Sequence, residues 1–365
     1  MAGIYIHLPF CKRKCGYCDF YSVGADSKTI ENYVRLLHEE IRLRKAAFPY
    51  SVETIYLGGG TPSLVPSTLI ERLIDRVRNT FQCQANMEIS MEVNPGTVEK
   101  ASWCAYQNAG INRISLGVQS FLDHELACLG RIHQAATAIQ AYQDARDCGF
   151  DNIGIDLIYG LPGQTESEWK KNLQQAIELA PDHISTYCLS LSDTVPMAKK
   201  IHNGALPPLD EDLGAAFMEL AHEFLTKAGY RHYEISNYAK PGFECQHNQI
   251  YWDGGPYLGL GASAHSFNEK RRFWNVANIM QYESLLEQEQ LPVETEEALS
   301  PSQLRMEQLA LGLRTDTGVP LSFIGRENMA RILVEENKAI IKKDRFILTL
   351  NGFMLADEIA VQLME

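Results

Sequence analysis

The sequence predicts an α/β protein: a partial (β/α)6 barrel with additional β elements and a small C-terminal winged-helix-like α+β unit. Six apolar, β-rich runs alternate with helical stretches, an arrangement typical of parallel strands joined by right-handed crossovers. Polar or glycine-rich residues repeatedly follow the runs, where barrels carry their chemistry. The six runs are residues 3–10, 53–59, 87–95, 112–120, 152–162 and 182–191.

The helices between the runs are predicted from their periodicity. In residues 68–81, Leu69, Leu73 and Val77 recur at i, i+4 and i+8 with charged residues between them. This spacing is typical of a helix with one apolar face. Residues 28–48 form a second helical candidate, so the first two strands are expected to be followed by helices.

The second half of the chain is less regular. Residues 192–215 are rich in turn formers and predict a long loop or lid, and β-like runs follow at 230–239 and 257–267. Ser300 opens a helix, and residues 344–365 read as a strand, an Asn-Gly turn and a closing helix. The predicted domains are a barrel core over 1–235, a barrel extension over 236–299 and a C-terminal unit over 300–365.

Composition restricts the partners and the compartment. The formal net charge of −13 argues against nucleic acid as a partner, and the C-terminal unit holds only 8 basic against 9 acidic residues. No apolar run is long enough for a membrane span, and no signal peptide is recognisable. An odd count of nine cysteines then predicts a reducing, cytoplasmic compartment without disulfides. Six scattered cysteines are expected to be small buried apolar side chains: Cys83, Cys104, Cys128, Cys148, Cys188 and Cys245.

The other three cysteines are clustered in the stretch FCKRKCGYCDF, at Cys11, Cys15 and Cys18. A structural zinc site would need a fourth ligand, typically from a second CxxC pair, which the chain lacks. A [4Fe–4S] cluster suits thiolates on a short loop, because each cysteine can bind one iron. Three cysteines leave the fourth iron open to a ligand that is not protein.

The CxxxCxxC spacing of this stretch resembles the cluster loop of the radical SAM superfamily. There the open iron chelates the amino and carboxylate groups of S-adenosylmethionine (SAM). The resemblance covers nearly the whole chain. It is nearest to the oxygen-independent coproporphyrinogen III oxidase-like branch, and within it to the HemW-type haem chaperones. It implies a radical SAM core over residues 1–235.

The stretch YLGGGTPS, residues 56–63, covers the end of the second run and the turn after it, on the same predicted rim as the cysteines. Glycines let the backbone approach a ligand closely, and the resemblance implies that Gly59, Gly60 and Thr61 contact the SAM amino group. It also implies that Tyr5 and Tyr17 contact the cluster or SAM. The further SAM-contacting positions that it implies are Glu92, Gln119, Arg131 and Asp156. These side chains can accept bonds from an ammonium or a ribose, or pair with a carboxylate, although each could also be a structural group at the barrel mouth.

Two features separate the oxidases of this branch from its haem chaperones. The oxidases that this branch includes typically carry a fourth cysteine, in the motif CxxxCxxCxC. They also typically have an N-terminal extension before the strand that leads into the cluster loop. Here Phe20 stands where that cysteine would be, and only ten residues precede Cys11. Both departures favour the chaperones.

The chain also carries the HNxxYW motif of the HemW-like proteins, at His247, Asn248, Tyr251 and Trp252. A histidine can ligate haem iron, and aromatic rings offer flat apolar faces to a porphyrin. The residues by themselves also fit a buried aromatic cluster with a structural histidine. The alternative iron ligands are Cys245 and His265. The candidate partners for the haem propionates are Arg271 and Arg272.

The sequence therefore predicts a cytoplasmic protein that binds a [4Fe–4S] cluster, SAM and haem, and passes haem to acceptor haemoproteins such as respiratory subunits. Transient contact with a membrane surface fits that role, and no catalytic residue is assigned. The alternative is an oxygen-independent coproporphyrinogen III oxidase that decarboxylates its porphyrinogen substrate by radical SAM chemistry. A radical SAM enzyme acting on an unrelated substrate is a third, less favoured reading.

Overall fold

A computed structural model describes residues 2–208 and 210–364. The strands in these residues are β1 Ala2–Leu8, β2 Val52–Gly59, β3 Cys83–Val93, β4 Arg113–Gln119, β5 Ile153–Tyr159, β6 His183–Cys188, β7 Arg231–Glu234, β8 Asn237–Ala239, β9 Tyr257–Leu260, β10 His265–Phe267, β11 Arg271–Asn275, β12 Val293–Ala298, β13 Val319–Pro320, β14 Ala339–Lys342 and β15 Arg345–Leu348. The predicted six runs correspond to β1–β6.

The helices lie between these strands, with short 3-10 turns at Lys45–Ala47, Pro62–Leu64 and Leu321–Phe323. The helices are α1 Ser27–Arg44, α2 Ser67–Thr80, α3 Lys100–Asn108, α4 Asp123–Leu129, α5 Ala135–Asp147, α6 Glu166–Leu179, α7 Pro196–His202, α8 Glu211–Lys227, α9 Gln246–Trp252, α10 Ile279–Glu287, α11 Pro301–Gly312, α12 Glu327–Glu335, α13 Leu350–Phe353 and α14 Ala356–Met364.

One large sheet carries the site. Within the described residues its order is β12-β11-β10-β9-β1-β2-β3-β4-β5-β6-β8-β7, and β9 and β1–β6 all run parallel. The antiparallel strands lie at the two edges. The α/β class with a mostly parallel sheet is thus confirmed. The carboxyl ends of β1–β6 meet on one side of this sheet, which places the predicted site residues together.

The alternation of side chains along β1 explains how one strand serves both the core and the site. Ile4, Ile6 and Leu8 are fully buried in the hydrophobic core. Tyr5 and His7 point to the opposite face and line a cavity. A period of two is a property of any strand, so the sequence IYIHL commits alternate residues to core and cavity.

The C-terminal unit has its own three-stranded antiparallel sheet, in the order β13-β15-β14. The predicted Asn-Gly turn is wrong: Asn351 and Gly352 lie in α13, which Thr349 caps by accepting from Gly352 N. The hairpin turn falls instead at Lys343 and Asp344, with φ of 48° and 58°. Positive φ at both central residues gives the twist that a two-residue hairpin needs.

Two other segments differ from the predictions. Residues 192–215 are not wholly loop, because Pro196 starts α7, where its fixed φ favours a first helical turn. The runs at 230–239 and 257–267 are each two strands rather than one. In the second run Gly261, with φ of +99°, turns the chain between β9 and β10.

The expectation of no disulfide is wrong for one pair of cysteines. Cys104 on α3 and Cys148 just after α5 are bonded, with Cα atoms 5.1 Å apart. Their separation of 44 residues hides the contact in the sequence, and the packing of two neighbouring helices creates it. Cys245 is buried as predicted, whereas Cys188 is exposed. No helix in the described part of the chain is long and apolar enough to cross a bilayer.

Candidate functional site: two adjoining cavities at the barrel mouth

Main-chain hydrogen bonds hold the loop that carries the clustered cysteines. Cys11 N donates to Val23 O over 3.0 Å, and Val23 N donates to Pro9 O over 2.7 Å, which closes the base of the loop. Near its tip, Gly16 N donates to Leu129 O over 3.4 Å. The backbone therefore positions the thiols before any ligand is considered.

Cys11, Cys15 and Cys18 line one cavity of about 460 Å³, here called the cluster cavity. All three are half-buried and unbridged. Cys11 Sγ lies 3.5 Å from Thr61 Oγ1, and Arg131 Nη1 donates to Cys15 Sγ over 3.7 Å. This donor set fits a cluster held by three cysteines.

The glycine turn at the end of β2 forms another part of the wall. Gly59 has φ of +113°, and a Cβ there would lie 2.7 Å from the His7 ring. A Cβ on Gly60 would lie 2.8 Å from the main-chain N and O of Phe10. The close approach of β1 to β2 therefore requires these glycines whether or not a ligand lies above them. The turn brings Thr61 into the cavity wall.

Glu92 and Asp156 place two carboxyl groups in the same cavity. Glu92 accepts from Tyr56 OH over 3.1 Å and from Gly59 N over 3.1 Å. Asp156 accepts from hydroxyls on the two flanking strands, including Ser115 Oγ at 2.9 Å. Burial, followed by the neighbouring Asp156, raises the pKa of Glu92 to about 7, and burial also raises the pKa of Asp156. A cation entering the cavity would relieve this cost of ionisation.

Gln119 and Arg131 complete the predicted wall. Gln119 ends β4 with φ of 69°, a left-handed conformation that is uncommon outside glycine and is found at functional sites. Arg131 donates to Gly117 O over 2.8 Å and to Asn94 Oδ1. Its buried Nε has no partner among the described residues, which leaves a donor for an anionic group in the cavity.

The structure separates the two predicted tyrosines. Tyr17 lines the cluster cavity, between Cys15 and Cys18. Tyr5 lies instead in the wall of a second cavity, where its OH contacts His7 Nδ1 at 3.1 Å.

Sequence reasoning missed several residues of the cluster cavity. Asn94 donates to Thr61 Oγ1 over 2.8 Å and accepts from Arg131, so it links two predicted residues. Its position in an Asn-Pro-Gly turn right after β3 was the available signal. Phe20 is 65% exposed and lines both cavities. A large apolar residue exposed on a short loop is the kind of feature that marks a contact surface.

The second cavity, here called the large cavity, has a volume of about 830 Å³. It shares Asp19 and Phe20 with the cluster cavity. Its wall comes from β1, the cluster loop, α9, the β9–β10 region and α11 of the C-terminal unit. The aromatic residues of this wall are Tyr5, Phe20, Tyr21, Tyr251, Tyr257 and Phe267. A volume in the range of small-molecule sites and six aromatic rings in the wall suit a flat ligand with an apolar face.

The predicted haem segment lies beside the large cavity, but only Tyr251 of its four motif residues lines it. His247 is 1% exposed, and its ring nitrogens contact Thr54 Oγ1 at 2.7 Å and Tyr251 OH at 2.8 Å. Asn248 and Trp252 lie outside the described walls of both cavities, and Arg314 stacks over the Trp252 ring.

The fold and the cluster cavity define a class, that of the radical SAM proteins. The family model "Radical SAM superfamily" matches residues 5–176. Coproporphyrinogen III oxidase of Escherichia coli, a radical SAM enzyme, is similar in structure with a TM-score of 0.85 and 25% identity, over 99% of this chain and 89% of its own.

The family within this class follows from curated relatives. The protein named "Heme chaperone HemW" from Mycobacterium tuberculosis (strain H37Rv) is 35% identical over 370 residues, 99% of this chain and 94% of its own. Its namesake in Escherichia coli (strain K12) is 43% identical over 267 residues, 72% of this chain and 69% of its own. The chain belongs to the HemW family. Membership of the radical SAM superfamily implies a [4Fe–4S] cluster and SAM, which the thiols, the carboxyl groups and the unpartnered Arg131 Nε fit.

Proposed function

We propose that this protein is a haem chaperone that binds haem and transfers it to acceptor haemoproteins. The observation that carries the proposal is similarity along almost the whole chain to proteins named as haem chaperones, at 35–38% identity. Phe20 also supports the chaperone over the oxidase, because the oxidases of this branch typically have a cysteine at that position. Respiratory haem subunits, reached from the cytoplasm by transient contact with a membrane surface, are the proposed acceptors.

In this proposal the cluster cavity holds the cluster and SAM. The cluster, when bound, offers an open iron at which SAM can be held by its amino and carboxylate groups. The chain itself provides the charges around that ligand: Glu92 and Asp156 for the ammonium or ribose, and Arg131 for the carboxylate. The remaining residues proposed for this site are Cys11, Cys15, Cys18, Tyr17, Gly59, Gly60, Thr61 and Gln119.

Haem is proposed to lie next to the cluster cavity, against the segment 247–252. The motif residues then support the wall, because His247 holds the Tyr251 hydroxyl at 2.8 Å and Tyr251 packs edge-on against Tyr257 at 4.6 Å between ring centroids. The shared wall residues Asp19 and Phe20 offer a physical route by which SAM binding could change haem release.

The test is an anaerobic titration of the cluster-reconstituted protein with haem, followed by its Soret absorption. We expect a saturable, stoichiometric transition, and transfer of the haem to an acceptor apoprotein on mixing. Repeating the transfer with and without SAM measures whether the two sites are coupled.

A parallel incubation with coproporphyrinogen III, SAM and a reductant separates the oxidase from the chaperone. Protoporphyrinogen formation without saturable haem binding would establish the oxidase instead. SAM cleavage with neither result would point to an unrelated substrate.

A further inference from the structure

The large cavity contains one histidine whose ring is available to a ligand. Two histidines line it, His7 and His265. Both ring nitrogens of His7 are engaged, with Tyr5 OH at 3.1 Å and Tyr21 O at 3.1 Å. His265 is exposed, and its ring makes no hydrogen bond to any residue in the described part of the chain.

The surroundings of His265 hold its imidazole in place. The Trp274 ring stacks on it with centroids 5.4 Å apart and an angle of 23°. Partial burial and the nearby Arg272 lower the pKa of His265. A neutral imidazole has a lone pair to offer, which is what coordination to iron requires.

The rival ligands are less suited to iron. His247 is enclosed, and both of its ring nitrogens are engaged in hydrogen bonds. Cys245 is fully buried outside both cavities, where its thiol contacts Glu88 Oε1 at 3.7 Å. Tyr251 and Tyr257 do line the large cavity, but burial raises their pKa and so disfavours the phenolate that would bind iron.

The large cavity also holds a cation for an acidic edge of the ligand. Arg272 is the one Lys or Arg in its described wall. Its Nη2 donates to Glu307 Oε2 over 2.7 Å, and both side chains are about one-third exposed. The neighbouring Arg271 lies outside the wall and pairs with Glu296.

We propose that the large cavity is the haem site, with His265 as the axial ligand of the iron and Arg272 as the partner of a propionate. The inference rests on the proposed function and assigns it to particular atoms. Among the candidate iron ligands that the sequence left open, it selects His265 on β10 over the motif histidine His247 on α9. Aromatic side chains in the wall, an imidazole with no hydrogen-bond partner among the described residues, and one cation together match the recognition chemistry of an iron porphyrin with carboxylate side chains.

The first experiment is the haem titration of His265→Gly beside the wild type, with Soret and electron paramagnetic resonance spectra. We expect at least a 10-fold loss of affinity and loss of the wild-type spectrum, both restored by added imidazole, which can occupy the vacated space. The control is His202→Ala, an exposed histidine outside both cavities, which should bind haem as the wild type does. Thermal unfolding verifies that each variant is folded.

The possible outcomes distinguish a failure of the His265 assignment from a failure of the proposed haem-chaperone function. If the wild type fails to bind haem saturably, the proposed function is lost. If the wild type binds and His265→Gly keeps its spectrum and affinity, only the placement of the iron ligand is overturned. A wild-type spectrum lost in His247→Ala but kept in His265→Gly would return the ligand to α9.

A second titration tests Arg272 with haem and with haem dimethyl ester, which lacks the propionate charges. Arg272→Ala should weaken haem binding about 5-fold, the effect of a partly exposed ion pair, and leave the ester unaffected. Arg271→Ala should change neither, because that side chain lies outside the cavity wall. Equal losses for both ligands in Arg272→Ala would mean that the arginine supports the wall rather than a propionate.

Discussion

At the scale of residues, the cluster cavity concentrates charged groups that are costly to keep there without a ligand. Burial and the neighbouring Asp156 raise the cost of ionising Glu92, and the Nε–H of Arg131 has no partner among the described residues. Such groups are typical of ligand sites because a ligand of complementary charge removes the cost. The thiols are the other half of the site, and each half gives a prediction.

The Glu92→Gln change should alter the pH dependence of stability. The pKa of Glu92 is about 7 in the folded protein against 4.5 as the reference, so its ionisation opposes folding. The free-energy cost of ionising Glu92 in the folded protein is absent below pH 4.5 and fully present above about pH 7. The stability of the wild type should therefore fall between these pH values relative to that of the variant. Because Glu92 is half-buried, solvent reduces this cost. We expect the difference in free energy of unfolding between the two proteins to change by about 1–2 kcal/mol from pH 5 to pH 8.

Urea unfolding of both proteins without added SAM at the two pH values measures this. Gln can accept only one of the two hydrogen bonds that Glu92 accepts, which adds a constant cost, so the change with pH is the readout. An equal difference at pH 5 and pH 8 would contradict the raised pKa.

Cys15→Ser should abolish the cluster, because two thiolates would remain for iron. We expect loss of the visible cluster absorption and of bound iron, and with them loss of SAM binding by equilibrium dialysis. Cys83→Ser, at a half-buried free cysteine outside the cluster cavity, is the matched control and should retain both. A Cys15→Ser protein with normal iron content would remove Cys15 from the site.

At the scale of elements, the cluster loop and the β2 turn form one unit. The loop is closed by main-chain bonds at its base, and the turn fits against it so closely that Gly60 touches the Phe10 backbone. Backbone neighbours cannot give way as a flexible side chain can. The positions of the thiols therefore depend on a glycine about 50 residues away in the chain.

Gly60→Ala should destabilise the protein by about 1–3 kcal/mol, the usual cost of overpacking, because its Cβ would lie 2.8 Å from Phe10 backbone atoms. Urea unfolding measures the loss, and cluster occupancy after reconstitution should fall as well. Gly16→Ala is the control on the cluster loop, since a Cβ there meets nothing within 4 Å. Equal stabilities of the two variants would disprove the close-packing account of the turn.

At the scale of the whole molecule, the C-terminal unit is attached to the sheet and contributes one wall of the large cavity. Ile235 N donates to Arg314 O over 2.9 Å, and Asp316 N donates to Tyr233 O over 3.0 Å. The residues of α11 that line the cavity are Leu304, Glu307, Gln308 and Leu311. The unit thus forms part of the wall of the large cavity.

Haem binding should slow amide hydrogen exchange in α11, because a ligand in the large cavity packs against that helix and opposes its local opening. Exchange measured by mass spectrometry, with and without haem, tests this. Helix α12, which lies outside the described wall, is the internal control and should be unaffected. Unchanged exchange in α11 at saturating haem would place the haem elsewhere.

The sequence by itself determined the elements and motifs that contiguous residues encode. Periodicity gave β1–β6 and the first two helices to within a few residues, and the spacing of three cysteines indicated a cluster loop on the rim. Such features depend on local spacing, which the chain displays directly. The same reasoning failed at Asn351 and Gly352, where capping by Thr349 makes a short helix of an expected turn.

Only the tertiary structure decided which residues of each motif line a cavity. Thr54 and His247 lie 193 positions apart, and their contact turns the motif histidine away from the large cavity. Tyr5 and Tyr17 were both expected to contact the cluster or SAM, but they line different cavities. The Cys104–Cys148 bond depends on the packing of two helices, which no local pattern in the sequence shows. The physical reason is the same in each case. Burial and hydrogen bonding depend on distances between residues remote in the chain, and those distances exist only once the sheet has formed.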